Sequence, residues 1–297
     1  MSPPAQSVQD RYRTARRVTL AGIGVSAALA AGNIFVGVID HSTSVLATGF
    51  EFAGDVLAAS IVLVGVRVAA RPADENHPYG HGRFETLSAF IVGVILVAGG
   101  AMISYQSVQG VGLQHAPPGQ AAVLALCGAI VLRAIVSSVK FRVGRRIRSA
   151  ALVADAWNDA VDILSAGAAL VAVVLASYDP ERFIGADHYG GFLVGLVVVL
   201  TGTRVIRDAS LELADTMPPD ELMSEISSVA RSVAGVQDVD KVFARKTGLQ
   251  YHIDLHIEVD PALTVAASHA IAGHVRSKLK QELSWVADVL VHVEPGR

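Results

Sequence analysis

Cysteine is almost missing from this chain: of 297 residues only Cys127 is one. A lone cysteine cannot close an intrachain disulfide, so no disulfide framework holds the fold. Cys127 sits in an apolar run and reads as a small buried hydrophobe. Charge is scarce as well. Charged residues make up 17% of the chain, hydrophobic ones 52%, and the mean hydropathy is +0.47. Soluble domains carry about 25% charged residues, so the balance points to a membrane protein. A net charge of −3 is too small to suggest a nucleic-acid partner. Long internal repeats and low-complexity tracts are missing. So are a His-Glu-x-x-His motif and a nucleophile–base pairing, which argues against an intramembrane hydrolase and against an enzyme.

What is present is a series of long apolar runs. A helix needs roughly 20 mostly apolar residues to cross the hydrocarbon core, and six runs qualify, at about 17–39, 45–69, 86–111, 120–142, 152–177 and 187–207. The first, preceded by Arg11, Arg13, Arg16 and Arg17 and containing Ala28-Leu29-Ala30, has some features of a secretion signal. It continues to Ile39, however, and further runs follow, so it is read as a first membrane span. Basic residues gather before span one, between spans two and three (Arg67, Arg71, Arg83) and between spans four and five (Lys140, Arg142, Arg145, Arg146, Arg148), and are sparse in the opposite connections. By the positive-inside rule both termini are expected in the cytoplasm of a multi-pass cell-membrane protein.

After about Arg207 the character changes. Leu211 to Pro219 reads as a linker, Asp220 to Val233 has helical periodicity, and Val236 to Arg245 and Gln250 to Val259 read as strands around a turn at Gly248. Tyr251 to Val259 alternates with period two. A helix from Thr264 to Leu283 and a strand from Val289 to Val293 complete an αββαβ order, in a domain large enough to fold alone. The expected division is a tail at 1–16, six membrane helices at 17–210 and a cytoplasmic α+β domain at 211–297.

Ionisable residues at membrane depth are functional candidates by default. Span two, within Thr48-Gly49-Phe50-Glu51-Phe52-Ala53-Gly54-Asp55, carries Glu51 and Asp55; span five carries Asp155, Asn158, Asp159 and Asp162. Glu51 and Asp55 are four residues apart and share a helix face, as do Asn158 and Asp162. Two such faces brought together offer four oxygen-bearing side chains from two helices, enough for a metal site without a loop. The spacing equally allows a proton site, a water-lined cavity or helix–helix hydrogen bonds. Asp155 and Asp159 fit cavity-lining or helix-entry positions, Arg133 in span four fits either snorkelling or pairing with an Asp, and Asn33 fits a helix–helix hydrogen bond.

Four stretches together resemble the cation diffusion facilitator family of divalent-metal/proton antiporters, over nearly the full chain. They are Arg71-Pro72-Ala73-Asp74-Glu75-Asn76-His77-Pro78-Tyr79-Gly80-His81-Gly82-Arg83-Phe84-Glu85, Ala154-Asp155-Ala156-Trp157-Asn158-Asp159-Ala160-Val161-Asp162, Asp254-Leu255-His256-Ile257-Glu258-Val259 and Val291-His292-Val293-Glu294-Pro295. The resemblance implies an α-helical membrane protein with six transmembrane helices and a C-terminal cytoplasmic αββαβ domain, metallochaperone- or ferredoxin-like, that dimerises. It implies a transport site at Glu51, Asp55, Asn158 and Asp162. It also implies a loop site at Asp74, His77 and His81, a cytoplasmic site at His256, His269, His292 and Glu294, and a salt bridge between Arg83 and Asp215.

The divalent cation is then substrate and candidate regulator, with protons as counter-substrate, a lipid bilayer around the spans and no prosthetic group. The chain departs from the family's zinc-type pattern at Glu51 and Asn158, where His or Asp is common. Oxygen ligands without imidazole suit a harder ion, so manganese is the expected substrate, with iron(II), cobalt or zinc as alternatives. The competing readings are a zinc/cadmium-type antiporter of the same family and a non-transporting, metal-responsive membrane scaffold. Gln237 stands where the family usually has another cytoplasmic ligand. His115, His188, His252 and His274 are read as surface or loop residues.

Overall fold

A computed structural model describes residues 8–39, 43–109, 120–178 and 186–296. Six long helices come first: α1 (Val8–Ile39), α2 (Thr43–Ala69), α3 (Arg83–Gln109), α4 (Gln120–Ile147), α5 (Ala150–Tyr178) and α6 (Ala186–Leu213). They are followed by α7 (Asp220–Arg231), β1 (Asp238–Thr247), β2 (Gln250–Val259), α8 (Val265–Glu282) and β3 (Val286–Pro295). The six helices have 27 to 32 residues. At 1.5 Å rise per residue that is about 40 Å or more, longer than the roughly 30 Å hydrocarbon core. Among the described residues, Val8–Val36, Phe52–Ala69 and Arg83–Tyr105 are apolar enough to cross a membrane by composition alone.

In α4 and α5 the ionisable residues that interrupt the apolar run lie inside. Arg133, Lys140, Asp155, Asp159 and Asp162 are buried, while Val131 and Ile135 on α4 and Leu164 on α5 are exposed. These three apolar side chains thus face outward, where lipid would be, and the five ionisable ones face inward.

The chain forms two compact units. One spans Thr14–Val68 and Phe84–Ala209; the other gathers the start of α1 up to Arg13, the segment Ala69–Arg83 and the chain from Ser210 onward. In the first unit α4 and α5 form a tight hairpin. Arg148 turns the chain at φ 60°, and Gly144 sits where a Cβ would press on Val153. Ser149 caps α5 by accepting from the Leu152 N–H at 3.2 Å, and Glu85 of α3 accepts from Ser149 Oγ at 2.5 Å and from the Ala151 N–H at 3.2 Å. A carboxylate at a helix N-terminus satisfies orphan N–H groups and complements the helix dipole. Phe141 meets Trp157 edge-on at 5.0 Å. α3 and α6 approach through Gly93, Gly100, Gly195 and Gly202, where a Cβ would meet the facing helix, as expected where helices associate by close packing of small residues.

In the second unit β2 is central, antiparallel to β1 and parallel to β3. Tyr251, Ile253, Leu255, Ile257 and Val259 alternate into a core shared with Ile226 of α7 and Val275 and Leu279 of α8. Thr264 caps α8 by accepting from the Ala267 N–H. Gly248 makes the β1–β2 turn at φ 63°, a conformation that favours glycine.

Several expectations shift. α1 begins at Val8, so the early arginines lie on the helix itself; α4 extends to Ile147 and takes in Lys140, Arg142, Arg145 and Arg146. Cys127 is half-exposed rather than buried. Asn33 donates to Leu29 O of its own helix at 2.9 Å rather than to another helix. His252 is half-buried and His274 exposed; His115 and the side chain of His188 lie outside the described residues.

Because Leu255 is fully enclosed by the C-terminal core, Leu255→Ala in residues 210–297 expressed alone should cost about 2–5 kcal/mol, read from the urea unfolding midpoint. A loss under 1 kcal/mol would mean that this core does not hold the domain.

Candidate metal centre

Three clusters of ligand-type side chains stand out. The first lies inside the helical unit. Asp55 comes from α2, Arg133 and Lys140 from α4, and Asp155, Asn158, Asp159 and Asp162 from α5. The α5 residues recur every three or four positions, which places them along one helix face. Asp55 Oδ1 accepts from Asn158 Nδ2 at 2.9 Å, and Asp55 Oδ2 accepts from Arg133 Nη2. Arg133 Nη1 reaches Asp159 Oδ1 at 2.7 Å and Asp162 Oδ2 at 3.3 Å. Lys140 Nζ bridges Asp155 at 2.9 Å and Asp159 at 2.7 Å. The guanidinium also lies over the Phe52 ring, 4.7 Å from its centre, a cation–π contact.

The structure thus brings Asp55, Asn158 and Asp162 together. Glu51 lies on α2, but its side chain is outside the described residues. Asn158 donates its amide N–H to Asp55, so its carbonyl is the atom left for a cation. Asp155 and Asp159 are buried, and both are ion-paired with Lys140. Arg133 pairs with aspartates and does not snorkel. Lys140 is the residue that sequence reasoning missed, having assigned it to a basic loop. The signal was available: it lies seven residues after Arg133, two turns along the same helix face.

The second cluster is Asp74, His77 and His81, whose ligand atoms lie within 4.8 Å of one another. The loop is not helical. Asp74 and His77 exchange backbone hydrogen bonds at 3.2 Å, and the Gly80 N–H donates to His77 O at 2.9 Å. His77 Nδ1 is 3.2 Å from Asp74 Oδ1, and His81 Nε2 is 3.3 Å from Asp74 Oδ2. His81 Nδ1 faces the Pro72 carbonyl at 3.1 Å. A carbonyl only accepts, so Nδ1 donates to it, which fixes the ring and turns Nε2 toward Asp74. Metal-binding histidines are oriented in the same way by a partner on the other nitrogen. The His77 N–H donates to Asp74 Oδ1 at 2.7 Å. That bond, with the adjacent His77 and His81 rings, holds the Asp74 carboxyl below its ordinary value despite the opposing effect of burial. Arg83 and Asp215 form their ion pair in this unit.

The third cluster is His256, His292 and Glu294, again with ligand atoms within 4.8 Å. His256 and His292 are register partners on β2 and β3, and Glu294 follows on β3. The alternation that buries Leu255 and Ile257 turns His256 to the opposite face of the sheet. His256 Nδ1 lies 2.7 Å from Glu294 Oε1, and His292 Nε2 lies 3.7 Å from it. His269, exposed on α8, is not brought into this cluster among the described residues. Gln237 donates its backbone N–H to Glu258 O at 2.8 Å.

Comparison with known proteins agrees with this architecture. Residues 19–214 match the family model of the cation efflux transmembrane domain, and residues 218–296 match that of the cation efflux protein cytoplasmic domain. The chain is 29% identical over 290 residues to the manganese efflux system protein MneP of Bacillus subtilis (strain 168), covering 96% of this chain and 98% of that one. It is 26% identical over 287 residues to the manganese efflux system protein MneS of the same organism, covering 96% and 97%. It is 32% identical over 269 residues to the uncharacterized transporter YdbO, also of Bacillus subtilis, covering 90% and 91%.

Two outcomes follow from this geometry. Lys140→Met strips Asp155 and Asp159 of a shared cation and should cost about 3–5 kcal/mol, seen as a lower thermal midpoint in detergent; adding Asp155→Asn should recover part of the loss. Asp74 gives a pH dependence. Its depressed value means that the loop order it supports is complete above about pH 4 and is lost as pH falls through the lower folded value. Exchange protection of the His77 amide should therefore vanish in strong acid and be flat from pH 5 to 7; protection that is unchanged by Asp74→Ala would contradict this.

Proposed function

Since the chain belongs to the cation efflux, or cation diffusion facilitator, family, whose members move divalent metal cations and are not enzymes, we propose that it exports manganese from the cytoplasm in exchange for protons. The transport ligands in this reading are Glu51 and Asp55 on α2 with Asn158 and Asp162 on α5. The observation that carries it is the meeting of Asp55 with Asn158 at 2.9 Å, beside Asp162, in the interior of the helical unit. Buried carboxylates are retained at a cost only where a cation or proton compensates them.

The ligand atoms are carboxylate and amide oxygens, and oxygen donors suit manganese where imidazole would suit zinc. Two of the relatives are named as manganese efflux proteins. In the cycle, the ion enters between α2 and α5 from the cytoplasm and is held by the four oxygens. Helix rearrangement then opens the site to the far side, where protons compete for the carboxylates and the ion leaves. Ligands must be deprotonated to bind, so metal and protons oppose each other. Both termini lie in the cytoplasm in this reading, the C-terminal domain joins two copies in a homodimer, and the clusters at Asp74 and His256 bind regulatory metal.

The test is transport by the purified protein in vesicles with a pH gradient. Manganese should move faster than zinc, and Asp55→Ala or Asp162→Ala should abolish movement. Asn158→His should shift preference toward zinc. Equal transport by the parent and both Ala variants would sink the site, and an unchanged preference in Asn158→His would sink the hard-ligand argument.

A further inference from the structure

Arg133 stands apart from Lys140, the second base of this cluster. Lys140 spends its contacts on Asp155 and Asp159, neither of them a proposed ligand, whereas Arg133 reaches Asp55 and Asp162, which are. Both oxygens of Asp55 are engaged, Oδ1 by Asn158 and Oδ2 by Arg133. Asp162 Oδ2 faces the same guanidinium. A carboxylate oxygen that accepts from a guanidinium is a weaker donor to a hard divalent ion at about 2.0–2.6 Å, and the two cations would repel each other at that range.

We propose that Arg133 is a tethered competitor of the transported cation, holding Asp55 and Asp162 when no metal is bound and leaving them when metal enters. The proposal rests on reading Asp55 and Asp162 as transport ligands. The place to which Arg133 withdraws is already built. Its Nη1 lies 2.7 Å from Asp159 Oδ1, and Lys140 pins the other Asp159 oxygen at 2.7 Å. Guanidinium presents five N–H donors in a rigid fork on a long stem, so it can release two carboxylates and keep the third without leaving the cluster. Arginine also stays protonated at any working pH, which makes it a constant charge rather than a second proton carrier. With Arg133 counted, three ionised ligand carboxylates sum to about −2 without metal and about 0 with it. The metal-free carrier then has one charge fewer to cover with protons than the carboxylates alone would require.

Manganese binding to the full-length protein in detergent, measured by titration calorimetry at pH 7, tests this. All variants carry His77→Ala and His256→Ala so that the other two clusters are silent. Arg133→Gln removes the competitor and should bind manganese at least tenfold more tightly. Asp159→Asn removes the withdrawal point and should bind at least tenfold more weakly. A merely structural role moves both in the same direction or neither, and that result would overturn the proposal. If Arg133→Gln does not give a monodisperse protein, Asp159→Asn decides alone: weaker binding supports the proposal, and unchanged or tighter binding overturns it. Asp55→Ala separates the two readings. If it leaves binding intact, the transport site itself is wrong. If it abolishes binding while Arg133→Gln and Asp159→Asn shift together, only the role of Arg133 fails.

Discussion

Four aspartates and two bases inside a helical unit set the main constraint on this structure. A carboxylate out of water is expensive unless it is paired and hydrogen-bonded. Here Asp55, Asp159 and Asp162 converge on Arg133, and Asp155 and Asp159 on Lys140. The network fixes which faces of α2, α4 and α5 meet, because an acid on one helix must find a base on another. Much of the local architecture then serves to hold those faces in register: the Glu85 cap on α5, the Gly144–Val153 approach and the Ser137 hydroxyl donating to Ala156 O.

The same network suits ion transport. Two bases do not balance four acids, so the cluster keeps a negative surplus and favours a further cation. Its members share partners, with Asp159 touching both bases, so a change at one position redistributes the others. In the proposed transport site, a metal entering at Asp55 and Asp162 would act on α4 through Arg133 as well as on α2 and α5 directly. That would give the helices a physical reason to move on binding, through differential contacts in the two states.

The C-terminal domain rests on different physics. Its sheet is held by ordinary apolar burial on one face, and the alternation that supplies Ile253, Leu255 and Ile257 to the core also sets His256 on the other face. The parallel pairing of β2 with β3 then aligns His256 with His292 and Glu258 with Glu294. One register thus produces both the core and the His256–His292–Glu294 cluster, and a one-residue slip would lose both.

Local patterns determined most of the fold. Apolar runs marked the long helices, period-two alternation marked β2, and four-residue spacing put Asp55 with Glu51 and Asn158 with Asp162 on shared faces. These are legible because helix and strand periodicity are properties of neighbouring residues. The pairing of charges was not legible. Lys140 looked like part of a basic loop, Arg133 could have snorkelled, and Asp155 and Asp159 could have lined a cavity. Each was settled by the tertiary structure, because an ion pair depends on which helix lies opposite, and the nearest acid to Arg133 in space can be 78 residues away in the chain. Sequence by itself determined which residues could carry charge into the interior; only the packing of α2, α4 and α5 decided which of those charges neutralise one another.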